Sequence, residues 1–79
     1  MNKKTIYSLE VYEPGDDRSV AIDMKSDTPF GSISVGDEIS SPTMRIGDRL
    51  KATKIWHIFW ELDTHITHKI CVSTTSVQH

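Results

Sequence analysis

The chain has 79 residues, a formal net charge of −2 and one cysteine. That length holds one small domain, a lone thiol excludes an intrachain disulfide, and the charge gives no overall basic field to draw the protein onto nucleic acid. Isoleucine, valine and threonine outnumber leucine and alanine, the reverse of helical usage, so an all-β fold is expected.

Met1-Asn2-Lys3-Lys4 begins like the charged end of a signal peptide, but no apolar run of signal or membrane-spanning length follows. With a single thiol suited to a reducing compartment, the sequence reads as a soluble cytoplasmic protein with no membrane contact. One domain is expected over residues 1–79, with frayed ends at about 1–4 and 73–79.

From Thr5 to Glu13 apolar and polar residues alternate, with Tyr7, Leu9 and Val11 on one face, and Val20, Ile22 and Met24 do the same after Pro14-Gly15-Asp16-Asp17. Proline presets φ for a turn and glycine supplies the positive φ that follows, which predicts a hairpin. A four-residue loop would pair Glu13 with Arg18 and Val11 with Val20. Ser26-Asp27-Thr28-Pro29 breaks the pattern, and Phe30 to Val35 resumes it as a short third strand.

Val35-Gly36-Asp37-Glu38-Ile39 and Ile46-Gly47-Asp48-Arg49-Leu50 both read apolar-Gly-Asp-charged-apolar. Glycine reaches left-handed dihedrals and aspartate bonds the backbone ahead of it, so each is expected to be a turn. These turns resemble those of small barrels of SH3-like, OB-like and cradle-loop types.

Leu50 and Ala52 open a long strand on which Lys54 is out of phase, and a bulge or bend near Thr53 would turn Lys54 outward. Trp56, Ile58, Trp60 and Leu62 then alternate with Ile55, His57, Phe59 and Glu61. Ile66, Ile70 and Val72 follow in a second run, so the two read as a hairpin. Pairing Leu62 with Ile66 across Asp63-Thr64-His65 would put both apolar sets on one face, His57 opposite Cys71 and Trp60 opposite His68. Five or six antiparallel strands without a helical period predict a small antiparallel barrel or a strongly bent sheet, of SH3-like or OB-like size.

Three constellations bear on function. A thiol beside His57 is the start of a cysteine nucleophile, but no orienting residue or oxyanion site accompanies it, and a packed thiol is the expected state of Cys71. Asp63, His65 and His68 have zinc-ligand chemistry, but the spacing of the histidines puts them on opposite faces of a strand, and His68 is expected to stack on a tryptophan instead. Arg45, Arg49, Lys51 and Lys54 concentrate cations before the aromatic strand. That pattern suits phosphate and base recognition, or an edge kept basic to deter strand pairing.

Two indoles on one hairpin exceed what so small a core encloses, which leaves apolar area for an interface. The expectation is a non-enzymatic binding module without metal or cofactor. It would self-associate as a dimer or higher oligomer, most simply by continuing the sheet through the Trp56–Leu62 or Ile66–Val72 edge, and hold another protein through Trp56, Phe59, Trp60 and His68. The alternative is a binder of nucleic acid or a small phosphorylated ligand through Arg45, Arg49, Lys51 and Lys54.

Overall fold

A computed structural model describes residues 3–40 and 49–77. Among the described residues there are five strands and no helix: β1 Lys4–Glu13, β2 Asp16–Ser26, β3 Glu38–Ile39, β4 Arg49–Glu61 and β5 His65–Val77. They form one sheet in the order β2-β1-β5-β4-β3, curled into a half-barrel. The all-β expectation holds, in its bent-sheet form. The sheet is mixed, because β1 lies parallel to β5 while the other pairs are antiparallel.

The β1–β2 hairpin turns on Pro14 and Gly15, with Gly15 at φ +71° and Glu13 opposite Asp16. The turn is therefore two residues tighter than the expected Glu13–Arg18 closure. Register irregularities between Val11 and Glu13 then absorb extra residues of β2, so Val11 faces Ile22 and Leu9 faces Met24. The expected pairs are displaced by two residues, which keeps the same side chains on the same face. Asp16 fixes the irregular stretch by accepting from the Arg18 backbone N–H and the Ser19 hydroxyl, both at 2.9 Å. These bonds favour the charged carboxylate, and that of the Arg18 amide is the chief reason its pKa is lowered.

The core lies on one face of the sheet and consists of Leu9, Val11, Leu50, Ala52, Ile70 and Val72. Phe30 and Ile33 pack against it. Their segment is not the expected third strand: it is irregular chain laid over the sheet, and Val35 is exposed. A strand would have kept Ile33 and Val35 together on one face, whereas here the irregular chain sends Ile33 inward and Val35 out. Gly36, at φ +99°, closes the segment as the Gly-Asp reading predicts, with Ser34 N–H bonded to the Asp37 carboxylate at 2.8 Å. Backbone bonds then run from Gly36 N to Ala52 O and from Ala52 N to Asp37 O, both 2.8 Å. The second Gly-Asp pair, Gly47-Asp48, lies outside the described residues.

β4 is bulged between Ala52 and Lys54, where the sequence places a bulge. Thr53 is the extra residue. It shifts the parity of everything that follows, so Ile55 continues the core face begun by Leu50 and Ala52 while Lys54 turns away. The β4–β5 hairpin accordingly differs by one residue from the expected register. Glu61 faces Ile66, Ile58 faces Lys69, Trp56 faces Cys71 and Phe59 faces His68. A two-residue turn, Asp63-Thr64, replaces the three-residue loop, and Leu62 N–H bonds His65 O at 2.8 Å. The one-residue shift transfers Trp56, Ile58 and Trp60 to the face opposite the core.

β5 is the central strand and is covered on both sides. Cys71 is 1% exposed on the tryptophan face and Val72 0% on the core face. It runs on to Val77, with Ser73 and Thr74 buried where the sequence reads as a polar tail. Those hydroxyls are satisfied: Thr74 donates to Tyr12 O and Ser73 to the Asp17 carboxylate, both at 2.8 Å.

Candidate binding edge

Each side of β4 carries its own aromatic group. On the core side, beyond the apolar cluster, His57, Phe59, His68 and Tyr7 meet. Phe59 and His68 face each other across the hairpin and stack with centroids 4.3 Å apart, and Tyr7 meets His68 edge-on at 5.7 Å. The stacking expected of His68 is present, with Phe59 in place of a tryptophan because of the register. His57 Nδ1 and His68 Nε2 are 2.8 Å apart. Burial, and to a lesser degree the neighbouring His57, hold the His68 imidazole below the ordinary histidine range.

On the other side, Tyr12 stacks on Trp56 at 5.8 Å, and Lys54 Nζ lies 5.5 Å from the centre of the Trp56 ring. The Tyr12 hydroxyl donates to Glu10 Oε1 at 2.9 Å, and Lys69 Nζ pairs with Glu10 at 2.7 Å. The Lys69 ammonium holds the Glu10 carboxyl below its usual range, and Glu10 in turn holds Lys69 above its own. Burial is the main reason the Tyr12 phenol is pushed up. Cys71 lies under this layer, on the opposite face from His57, so the expected thiol–imidazole contact does not occur.

The expected site residues thus separate. Phe59 and His68 share the core side with His57, whereas Trp56, Trp60, Lys51 and Lys54 share the reverse side. Arg49 is on that reverse side too, 3.1 Å from the Glu38 carboxylate. Arg45 lies outside the described residues. Near the bulge, an open groove of 480 Å³ runs between the β1–β2 turn and β4, with Asp17, Arg18, Lys54 and Ser73 on its walls. Of Asp63, His65 and His68, the second is bonded to Thr64 at 2.9 Å and the third to His57, so they do not converge.

The two faces are joined by the outer edge of β4. β3 pairs with β4 only at Leu50 and Lys51. Among the described residues no strand covers β4 from Lys54 to Glu61. The Leu62–His65 bond fixes which backbone groups point inward. By alternation along an antiparallel ladder, Trp60, Ile58 and Trp56 bond toward β5, and Ile55, His57, Phe59 and Glu61 present N–H and C=O outward. Around them Ile58, Phe59 and Trp60 are 41%, 66% and 40% exposed. Compared with known proteins, the chain matches no protein-family model, no curated protein and no solved structure.

The other outer strand gives the contrast. β2 carries Asp16, Asp17, Arg18, Asp23 and Lys25 and is irregular near its start, features that deter edge-to-edge pairing. On β4 the six residues from Ile55 to Trp60 include no carboxylate, lysine or arginine. Sequence reasoning identified the aromatics and offered the Trp56–Leu62 and Ile66–Val72 edges alike, without deciding between them. Which strands are outermost depends on the β1–β5 pairing, and no local pattern encodes that.

Proposed function

We propose that this protein is a non-enzymatic binding module that accepts an extended strand of a protein partner along the outer edge of β4, and that two copies associate through the same edge. The observation that carries the reading is the run from Ile55 to Trp60, which no strand covers among the described residues and which offers backbone donors and acceptors flanked by exposed apolar side chains. Backbone bonds would supply affinity and the alternating aromatics selectivity, the usual division in strand addition. Antiparallel pairing of two identical edges about a twofold axis is self-complementary and closes as a dimer. The Ile66–Val72 segment, lying in the central strand, offers no such edge.

The test is sedimentation of the full chain over a rising concentration series, with Ile58→Lys as the variant, since a charge on an edge opposes pairing. A wild type heavier than one chain and a monomeric, folded Ile58→Lys variant are expected. A wild type that stays monomeric throughout would remove the self-association. A nucleic-acid reading draws support from Lys54 over the Trp56 ring and Lys51 on the same face, but Arg49 already faces a carboxylate, which weakens the basic patch.

A further inference from the structure

We propose that His57 and His68 form a two-imidazole site for a divalent transition metal ion that favours square-planar geometry, of the copper(II) or nickel(II) kind. This inference is independent of the edge-binding reading and rests on how the sheet places the two rings. His57 faces Ile70 and His68 faces Phe59, so the histidines are diagonal neighbours on one face of an antiparallel pair. The register therefore brings them together, and the nitrogens His57 Nδ1 and His68 Nε2 lie 2.8 Å apart.

That separation is set by a ring-to-ring hydrogen bond and is within chelating reach. With metal–nitrogen bonds of about 2.0 Å, a right angle at the ion sets two ligand nitrogens about 2.8 Å apart and a tetrahedral angle about 3.3 Å. Rotation of the exposed His57 ring is what aims both lone pairs at one ion. His68 is held in place before any ion arrives, sandwiched against Phe59 with Tyr7 at its edge, and a fixed ligand orientation favours metal binding. His57 is exposed, which leaves the site open to solvent. On the same face of β4 as His57, Glu61 is paired with Lys3 at 3.1 Å.

In the neutral pair one ring's N–H donates a hydrogen bond to the bare nitrogen of the other. Binding needs both facing nitrogens as lone-pair donors, so in the bound state the donating ring carries its proton on its other nitrogen. No trio of His, Cys, Asp or Glu side chains suited to a metal ion occurs among the described residues. The remaining coordination positions fall to water, and affinity in the micromolar range is expected.

The experiment titrates the full chain with copper(II) or nickel(II) chloride alone by calorimetry and records electron paramagnetic resonance of the copper complex. One ion per chain is expected, with two imidazole nitrogens in its coordination shell. His57→Gln and His68→Gln should each weaken binding by about tenfold or more, the loss being at least that caused by removing a supporting group outside the ligand set. His65→Gln and His79→Gln should leave it unchanged. His57 is exposed, so its variant keeps the test sound even where His68→Gln fails to fold. Absence of binding, a single-imidazole signature in the wild type, or unchanged affinity in His57→Gln would overturn the site.

Discussion

Ala52 and Ile55 lie three residues apart on β4 and both pack in the core, a spacing that strict alternation cannot produce. Thr53 is the residue that reconciles them. Every side chain from Ile55 to Glu61 owes its face to that one bulge, including the placement of both indoles away from the core.

Deleting Thr53 should therefore be tolerated. Ala52, Lys54 and Ile55 would then alternate normally, with Ile55 still opposite Val72, and the cost should stay within about 2 kcal/mol. Chemical denaturation measures the cost, and nuclear Overhauser contacts between Ile58 and Lys69 check the register. Global unfolding of the variant would show that Thr53 belongs to the regular ladder instead.

Gly36→Ala should destabilise the domain by about 1 kcal/mol or more, measured by thermal or urea unfolding. The space around Gly36 is open, since an added Cβ would meet no atom within 4 Å, so the whole effect comes from the backbone at φ +99°. A neutral result would mean that this turn relaxes readily.

Glu10 and Lys69 make stability fall at both ends of the pH scale. The lowered Glu10 pKa means that its contribution is complete above the ordinary carboxylate range and is lost as pH falls through the depressed value. Lys69 and Tyr12, both raised, contribute fully below their ordinary ranges and lose that contribution as pH rises through the raised values. Glu10→Gln should cost about 1 kcal/mol at neutral pH and flatten the acid limb of a stability–pH curve. An unchanged acid limb would assign it to other carboxylates.

Cys71 should resist thiol reagents in the folded protein, being 1% exposed. Trp56 faces it across the hairpin and stacks on Tyr12, so Trp56→Ala should speed labelling by opening that layer. Equal rates in the two folded proteins would show that access comes through another route. The same comparison tests the register, because the pairing expected from the sequence puts Cys71 opposite His57.

Much of the local structure is legible in the residues themselves. Pro14-Gly15 and Gly36-Asp37 announce their turns, Lys54 announces the bulge, and alternation marks β1, β2, β4 and β5. The register of β4 against β5 is not legible, because Ile55 and Phe59 make the odd face nearly as apolar as the even face that carries Trp56 and Trp60. Only the bulge decides between them, and its effect on the residues beyond it is easily missed even when its position is read correctly. Phe30 and Ile33 are legible as apolar, yet their packing against the core cluster requires a sheet already built. Which of the Trp56–Leu62 and Ile66–Val72 segments lies toward the outside is hidden for the same reason.

The pairing of Lys4 with His65 and of Val11 with Val72 joins the first strand to the last. Folding therefore cannot proceed hairpin by hairpin to completion. The β1–β2 and β4–β5 hairpins can each form locally, but the core face exists only once they dock along the β1–β5 seam, after closure of a loop of nearly the whole chain. On the ribosome, β1 and β2 must wait for β5 with Leu9 and Val11 uncovered. That interval, more than the finished fold, is when this chain is most open to misassociation and to assistance from a chaperone.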